Sequence, residues 1–172
     1  MTEEPWLRGA IEGVNAIVGQ TLHSFQQARE DLAQWTEGLT DEQMWERPHG
    51  LTALGFHLRH IAGSVDRLTT YLKGGQLDVL QIDFLQHEMD EGAGREELLR
   101  DVDAAFRATE EVLRELDPAT FPETRGVGRK RLPTTVGGLV VHLAEHTQRH
   151  VGQAIVTAKL LRKLTERAKG TA

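Results

Sequence analysis

Residues 141–153 read VHLAEHTQRHVGQ, and how this stretch is read decides the fold. It sets His142, His146 and His150 at successive four-residue steps. On a helix such residues lie one above the other, so two rings can aim nitrogens at one point without distorting the backbone. The surrounding apolar residues keep the same period. With His146 at zero on a wheel of 100° per residue, Leu139 and Thr157 fall at about 20°, His150 at about 40°, and Leu143 and Leu161 at about 60°. His146 and His150 therefore face a core with the leucines. Buried imidazoles need partners for both ring nitrogens, at about 1–3 kcal/mol for each group left unmet, and a shared metal ion satisfies two rings at once. His142, at about −40° on the same wheel, stands at the edge of this face, as a ligand or as support behind one. Gln153, at about −20°, is placed to orient an imidazole or a bound water, or to serve as a packing amide. Glu145, at about −100°, lies off the face and reads as a surface carboxylate.

A second pair, His57 and His60, stands in GFHLRHIAGSVDRL. Here the wheel favours His57, about 55° from the apolar centre, over His60 at about 115°. Five of the eight histidines thus occupy two short windows, which suggests two helices meeting at an ion.

The rest of the chain is also helical in pattern. Leu7, Ala10, Ile11, Val14, Ile17, Val18, Thr21, Phe25, Ala28, Leu32 and Trp35 keep a three-and-four spacing, predicting one long helix that stops at Gly38. Thr40 caps a short turn, TDEQMW, before Pro48 forces an extended exit. Leu54, Leu58, Ile61, Val65, Leu68 and Leu72 predict a second long helix closed by Gly74-Gly75. The polar stretch after it has room for one short helix. Leu98 to Leu116 forms a third amphipathic run ending before Pro118, and the Pro- and Gly-containing segment 117–134 is a loop with a small hairpin around TRGVGRKR. Thr135 then caps the fourth long helix, from about residue 136 to residue 164. Four such helices without strand-length alternation predict an all-α protein, a four-helix bundle forming a single domain over residues 1–172. The fourth helix carries a second apolar line, Val140, Val141, Ala144, Val151 and Ile155, which central placement in the bundle or a homodimer contact would explain.

Composition narrows the chemistry. A net charge of −6 without a concentrated basic face argues against nucleic acid as partner. The chain has no cysteine, so any metal must be held by His, Asp or Glu. No run approaches the roughly 18 apolar residues of a membrane span, and the start, MTEEPWLRGA, is acidic; a soluble, cytoplasmic protein is expected.

Taken together, LTDEQMWERPHG, LRHIAGSVDRL and HLAEHTQRHVGQ resemble the DinB-like superfamily, which includes YfiT-type metal-dependent hydrolases, bacillithiol transferases and mycothiol-dependent maleylpyruvate isomerases. The resemblance rests on the helix-two "H-[LIV]-A" and helix-four "H-x-x-x-H-x-G-Q" patterns and covers most of the chain. It implies a four-helix bundle, often dimeric, and puts a metal triad on His60, His146 and His150, with His57, His142 and Gln153 as supporting candidates. Many relatives carry a histidine where this chain has Arg149. Three imidazoles with an open position form a catalytic rather than a structural pattern, and zinc, nickel and iron all accept them. The resemblance thus implies a metalloenzyme acting on a small-molecule substrate, with a low-molecular-weight thiol or water as the activated group. The alternative is a non-catalytic, stress-associated metal-binding dimer. The cluster Arg125, Arg129, Lys130 and Arg131 invites docking of an acidic thiol, solvated loop charges being the plainer reading.

Overall fold

In the computed structural model, which describes residues 3–170, four long helices carry the fold: α1 (Ala16–Thr36), α2 (Leu54–Leu72), α4 (Arg95–Arg114) and α5 (Val136–Gly170). A short helix, α3 (Val79–Gln86), and a two-stranded antiparallel hairpin, β1 (Thr124–Val127) with β2 (Leu132–Thr135), fill the connections. The all-α expectation holds, with the hairpin where the turn residues put it. Among the described residues no helix is long and apolar enough to cross a membrane.

The first helix starts later than its apolar spacing predicts. Leu7, Ala10, Ile11 and Val14 lie outside it, because Gly9 and Gly13 adopt φ of +92° and +72°, and Asn15 caps the helix by accepting from Ile17 N–H at 2.9 Å. The other ends follow their local chemistry. Asp78 and Gln81 form a reciprocal capping box on α3. Thr135 Oγ1 accepts from Gly138 N–H at 3.0 Å at the start of α5. Gly74, at φ +81°, closes α2 with its N–H on the Tyr71 carbonyl.

Each long helix packs on two others, in the cycle α1–α5–α2–α4. Thr21 donates to the Val140 carbonyl, Gln148 to Ser24 and Arg162 to Gln34, so residue numbers rise together and α1 runs parallel to α5. Arg29 pairs with Asp103 and Glu110 while Arg95 reaches Thr36, so α1 and α4 are antiparallel. On α2 and α5, His57 meets His150 and His60 meets His146, again antiparallel. Helices α2 and α4 consequently run parallel, which requires the crossover that carries α3.

The core is one cluster contributed by all four helices. Phe25 and Phe106 stack at 4.3 Å between α1 and α4. Trp45 lies over bare Gly55, where a Cβ would stand 2.7 Å from the indole, and donates to the Ala93 carbonyl; this fixes the N-terminal end of α2, from which His57 and His60 project. Of the second apolar line of α5, Val140 and Val151 are fully buried in the bundle, while Val141 is exposed.

Candidate metal centre

The antiparallel pairing of α2 and α5 brings four imidazoles together. His146 and His150 are one turn apart on α5, with ring centroids separated by 4.8 Å. The His60 ring, from α2, lies 5.2 Å from His146 and 4.4 Å from His150. One nitrogen from each of His60, His146 and His150 falls within 4.8 Å of the other two, and among the described residues this is the group able to hold a metal ion. Phe56 stacks on His60 at 5.3 Å and meets His57 and His150 edge-on, forming an apolar wall beside the rings.

Two of the three rings are held from behind. Glu88, only 3% exposed, accepts a hydrogen bond from His60 Nδ1 at 2.7 Å. Its other oxygen lies 2.8 Å from Nη1 of buried Arg67. Helix α2 makes room for this pair by having no side chain at Gly63, where a Cβ would come within 2.7 Å of both partners. His57 is buried, and its Nδ1 sits 3.2 Å from Nδ1 of His150, so one of these nitrogens donates and the other accepts. With Nδ1 of His60 and of His150 engaged in this way, Nε2 is the nitrogen each has left to offer. His146 Nδ1, by contrast, is buried without a hydrogen-bond partner.

Three of the four rings are held in the neutral form. Burial, reinforced by the neighbouring His150 and His60 rings, pushes the His57 pKa down to about 4. Burial likewise lowers His146 to about 4, with His150 and His60 adding to the effect. His150 falls to about 4 through burial, with His60 and Arg149 lowering it further and Glu88 opposing. These three rings are therefore neutral at pH 7, as metal ligation requires. The donor set fits a divalent ion on two counts: three imidazole nitrogens converge, and the orphaned His146 nitrogen carries a cost of about 1–3 kcal/mol that an imidazole–metal bond can relieve.

The remaining residues singled out from the sequence lie around this group. His142 stands one turn from His146 with ring centroids 5.3 Å apart, but its Nδ1 pairs with Glu145 at 2.9 Å and its side chain is 42% exposed. Glu145 is a surface carboxylate, also paired with Arg149. Gln153 is exposed and hydrogen-bonds to none of the four rings; with Leu51, Thr52, His57, Arg149 and Gly152 it lines a cavity of ≈ 410 Å³ beside the site. The hairpin arginines are elsewhere. Arg125 donates to the carbonyl of Leu72, twelve residues and hence about 18 Å along α2 from His60, so this cluster is not part of the site.

Glu88, Arg67 and Phe56 escape the sequence reading. Glu88 leaves no periodic signal, because it sits in the irregular segment between α3 and α4. Arg67 does offer one, seven residues after His60 and hence on the same face of the helix.

A family model described as the DinB superfamily matches residues 24–154, a span running from α1 through both histidine-bearing helices. A comparison with curated proteins finds no match.

Proposed function

The chain belongs to the DinB superfamily, and on that premise we propose that it is a metal-dependent enzyme in which His60, His146 and His150 hold a divalent ion, zinc, nickel or iron. The observation that carries this reading is the convergence of three imidazole nitrogens within 4.8 Å. An ion bound by three neutral imidazoles keeps its full charge and would lower the pKa of a coordinated thiol or water, supplying a nucleophile at neutral pH.

The protein's own groups divide the remaining work. Glu88 holds the His60 ring through its Nδ1–H, and His57 would hold the His150 ring with Nε2 free where His150 is the donor of their Nδ1–Nδ1 contact. Phe56 shields one side from water. The ≈ 410 Å³ cavity bordered by His57, Arg149 and Gln153 has the volume of a small-molecule site. Glu88, the carboxylate beside His60, accepts from His60 and is ion-paired with Arg67, which makes it a weak base toward water. A thiol made acidic enough to lose its proton to solvent needs no such base. Thiol transfer or thiol-dependent isomerisation stands ahead of hydrolysis because the family to which the chain belongs includes thiol-using enzymes. The same engaged carboxylate favours, as the second reading, a metal-binding protein without catalysis.

The test is elemental analysis of tag-free protein beside a His146→Ala, His150→Ala double variant, followed by turnover of an electrophile with a panel of small thiols. About one metal per chain, lost in the variant, together with a metal-dependent rate, is the expected result. Metal without a rate leaves the second reading, and no metal after reloading with zinc or nickel overturns both.

A further inference from the structure

We propose that the pocket beneath α3 is a second small-molecule site, for an uncharged ligand with an apolar body and a carbonyl-type oxygen that accepts from Arg67. The pocket holds ≈ 320 Å³ and lies between α2, α3 and α4, its apolar walls made by Ala62, Leu80, Phe84 and Ala104 around bare Gly63. None of the three triad imidazoles lines it, but Arg67 pairs with the Glu88 that holds His60, so the pocket is tested in metal-free protein.

Two features point to an occupant. First, α3 presents an apolar sequence, VLQIDFLQ, yet has no buried residue; Leu80 is 75% exposed although it borders the pocket. Second, Arg67 is 7% exposed, and none of its N–H groups makes a well-directed hydrogen bond to a described residue. Nη1 is shielded from solvent and close to Glu88 Oε1, but out of line for a hydrogen bond. A guanidinium brings five donors in a fixed fork, and on Arg67 it is Nη1 that is buried and unmet. Arg67 borders the pocket, so an acceptor oxygen entering it would meet the guanidinium N–H groups other than the shielded Nη1.

Charge decides the ligand class. Glu88 already neutralises Arg67, and Asp66 and Asp101 also line the pocket. Among the pocket's lining residues and the partner of Arg67, an anion would face three carboxylates and one guanidinium, with Arg59 and Arg100 acting on Asp101 from beside it, whereas a carbonyl oxygen brings no net charge. The volume is at the low end for ligand sites, suited to a single ring with a short substituent.

The test uses three probes of one ring each, acetophenone, benzoate and benzylamine, titrated into ¹⁵N-labelled, metal-free full chain. Amide shifts report binding at Gly63, Arg67, Leu80, Phe84 and Ala104. Acetophenone should perturb these amides and bind at least about tenfold more tightly than benzoate, a difference of about 1.4 kcal/mol. Ala104→Leu, whose side chain starts from an exposed position and narrows the pocket, should abolish the shifts while leaving the circular dichroism unchanged; Arg67→Met should remove the preference for the ketone. Absence of shifts at the solubility limit of acetophenone overturns the site. Equal binding of benzoate, tighter binding of benzylamine, or indifference to Ala104→Leu overturns the recognition assigned to Arg67 and the pocket walls.

Discussion

Glu88 Oε2 accepts from His60 Nδ1 at 2.7 Å, and Glu88 Oε1 lies 2.8 Å from Arg67 Nη1. One buried carboxylate therefore joins a ligand candidate to a buried cation. Neutral imidazole carries one ring proton, and the carboxylate can only accept it, so this contact holds His60 in the Nδ1–H tautomer with Nε2 free.

Glu88→Gln preserves shape while removing the charge, and should weaken zinc affinity about 10–100-fold, measured by chelator competition. The same change leaves Arg67 buried without a counter-charge, which destabilises the fold. The two effects separate in an Arg67→Met, Glu88→Gln double variant. Thermal stability should recover there, because no unpaired charge remains, while zinc affinity should stay low. Recovery of both would reduce Glu88 to a structural partner of Arg67.

Metal-free protein should lose stability in acid over a defined window. His57, His146 and His150 all fall from an ordinary value of 6.5 to about 4 on folding, mainly through burial. Between those values the unfolded chain binds more protons than the folded one, so protonation favours unfolding. Melting temperature should be insensitive to these groups above pH about 6.5, fall as pH drops toward about 4, and level off below it. A Tm profile of the His57→Leu, His146→Leu, His150→Leu variant, flat across the same window, would assign the slope to these rings.

How much of this is legible in the sequence depends on what each residue's signal reports. Periodicity reports burial, and it turns His146 and His150 inward because both project from a regular helix among leucines. It also reads α2 correctly, since His57 is the more buried of the pair. Burial is not proximity to an ion, however: His57 lies behind His150, whereas His60, at the rim of the buried face, reaches across to both α5 rings. The wheel cannot make that distinction; the family motif points to His60. Glu88 is illegible because only the α2–α4 crossover brings a residue from an irregular segment to the helix. The early start that the spacing assigns to the first helix is the opposite failure. An apolar period runs on through Gly9 and Gly13, whose positive φ breaks the helix.

Two glycines on the site's helices should respond in opposite ways. At Gly63 an added Cβ would stand 2.6 Å from Phe84 Cε1 and 2.7 Å from Arg67 Nη1 and Glu88 Oε1. Gly63→Ala must displace the pair that holds His60, with an expected loss of about 1–3 kcal/mol and weaker zinc binding. At Gly152 an added Cβ meets nothing within 4 Å. Gly152→Ala removes backbone freedom from the unfolded chain, and should stabilise α5 by up to about 1 kcal/mol without lowering zinc affinity. Urea denaturation of both variants, with parallel zinc titrations, checks the contrast.

Replacing His146 tests stability and ligation with opposite signs. Its Nδ1 is buried without a partner, and its neighbours Leu139 and Leu143 are buried in the core. Leucine at this position removes the unmet nitrogen and adds apolar area, so metal-free His146→Leu should melt at or above the temperature of the metal-free parent. Zinc should change the outcome. An ion that binds the folded chain alone raises stability by RT ln(1 + [L]/Kd), about 2.7 kcal/mol at a hundredfold excess over Kd. That gain should appear in the parent and vanish in His146→Leu, reversing their order. If zinc stabilises both equally, His146 is not a ligand. If the metal-free variant melts well below the parent, the imidazole makes a contact in the apo fold that its unpartnered nitrogen does not account for.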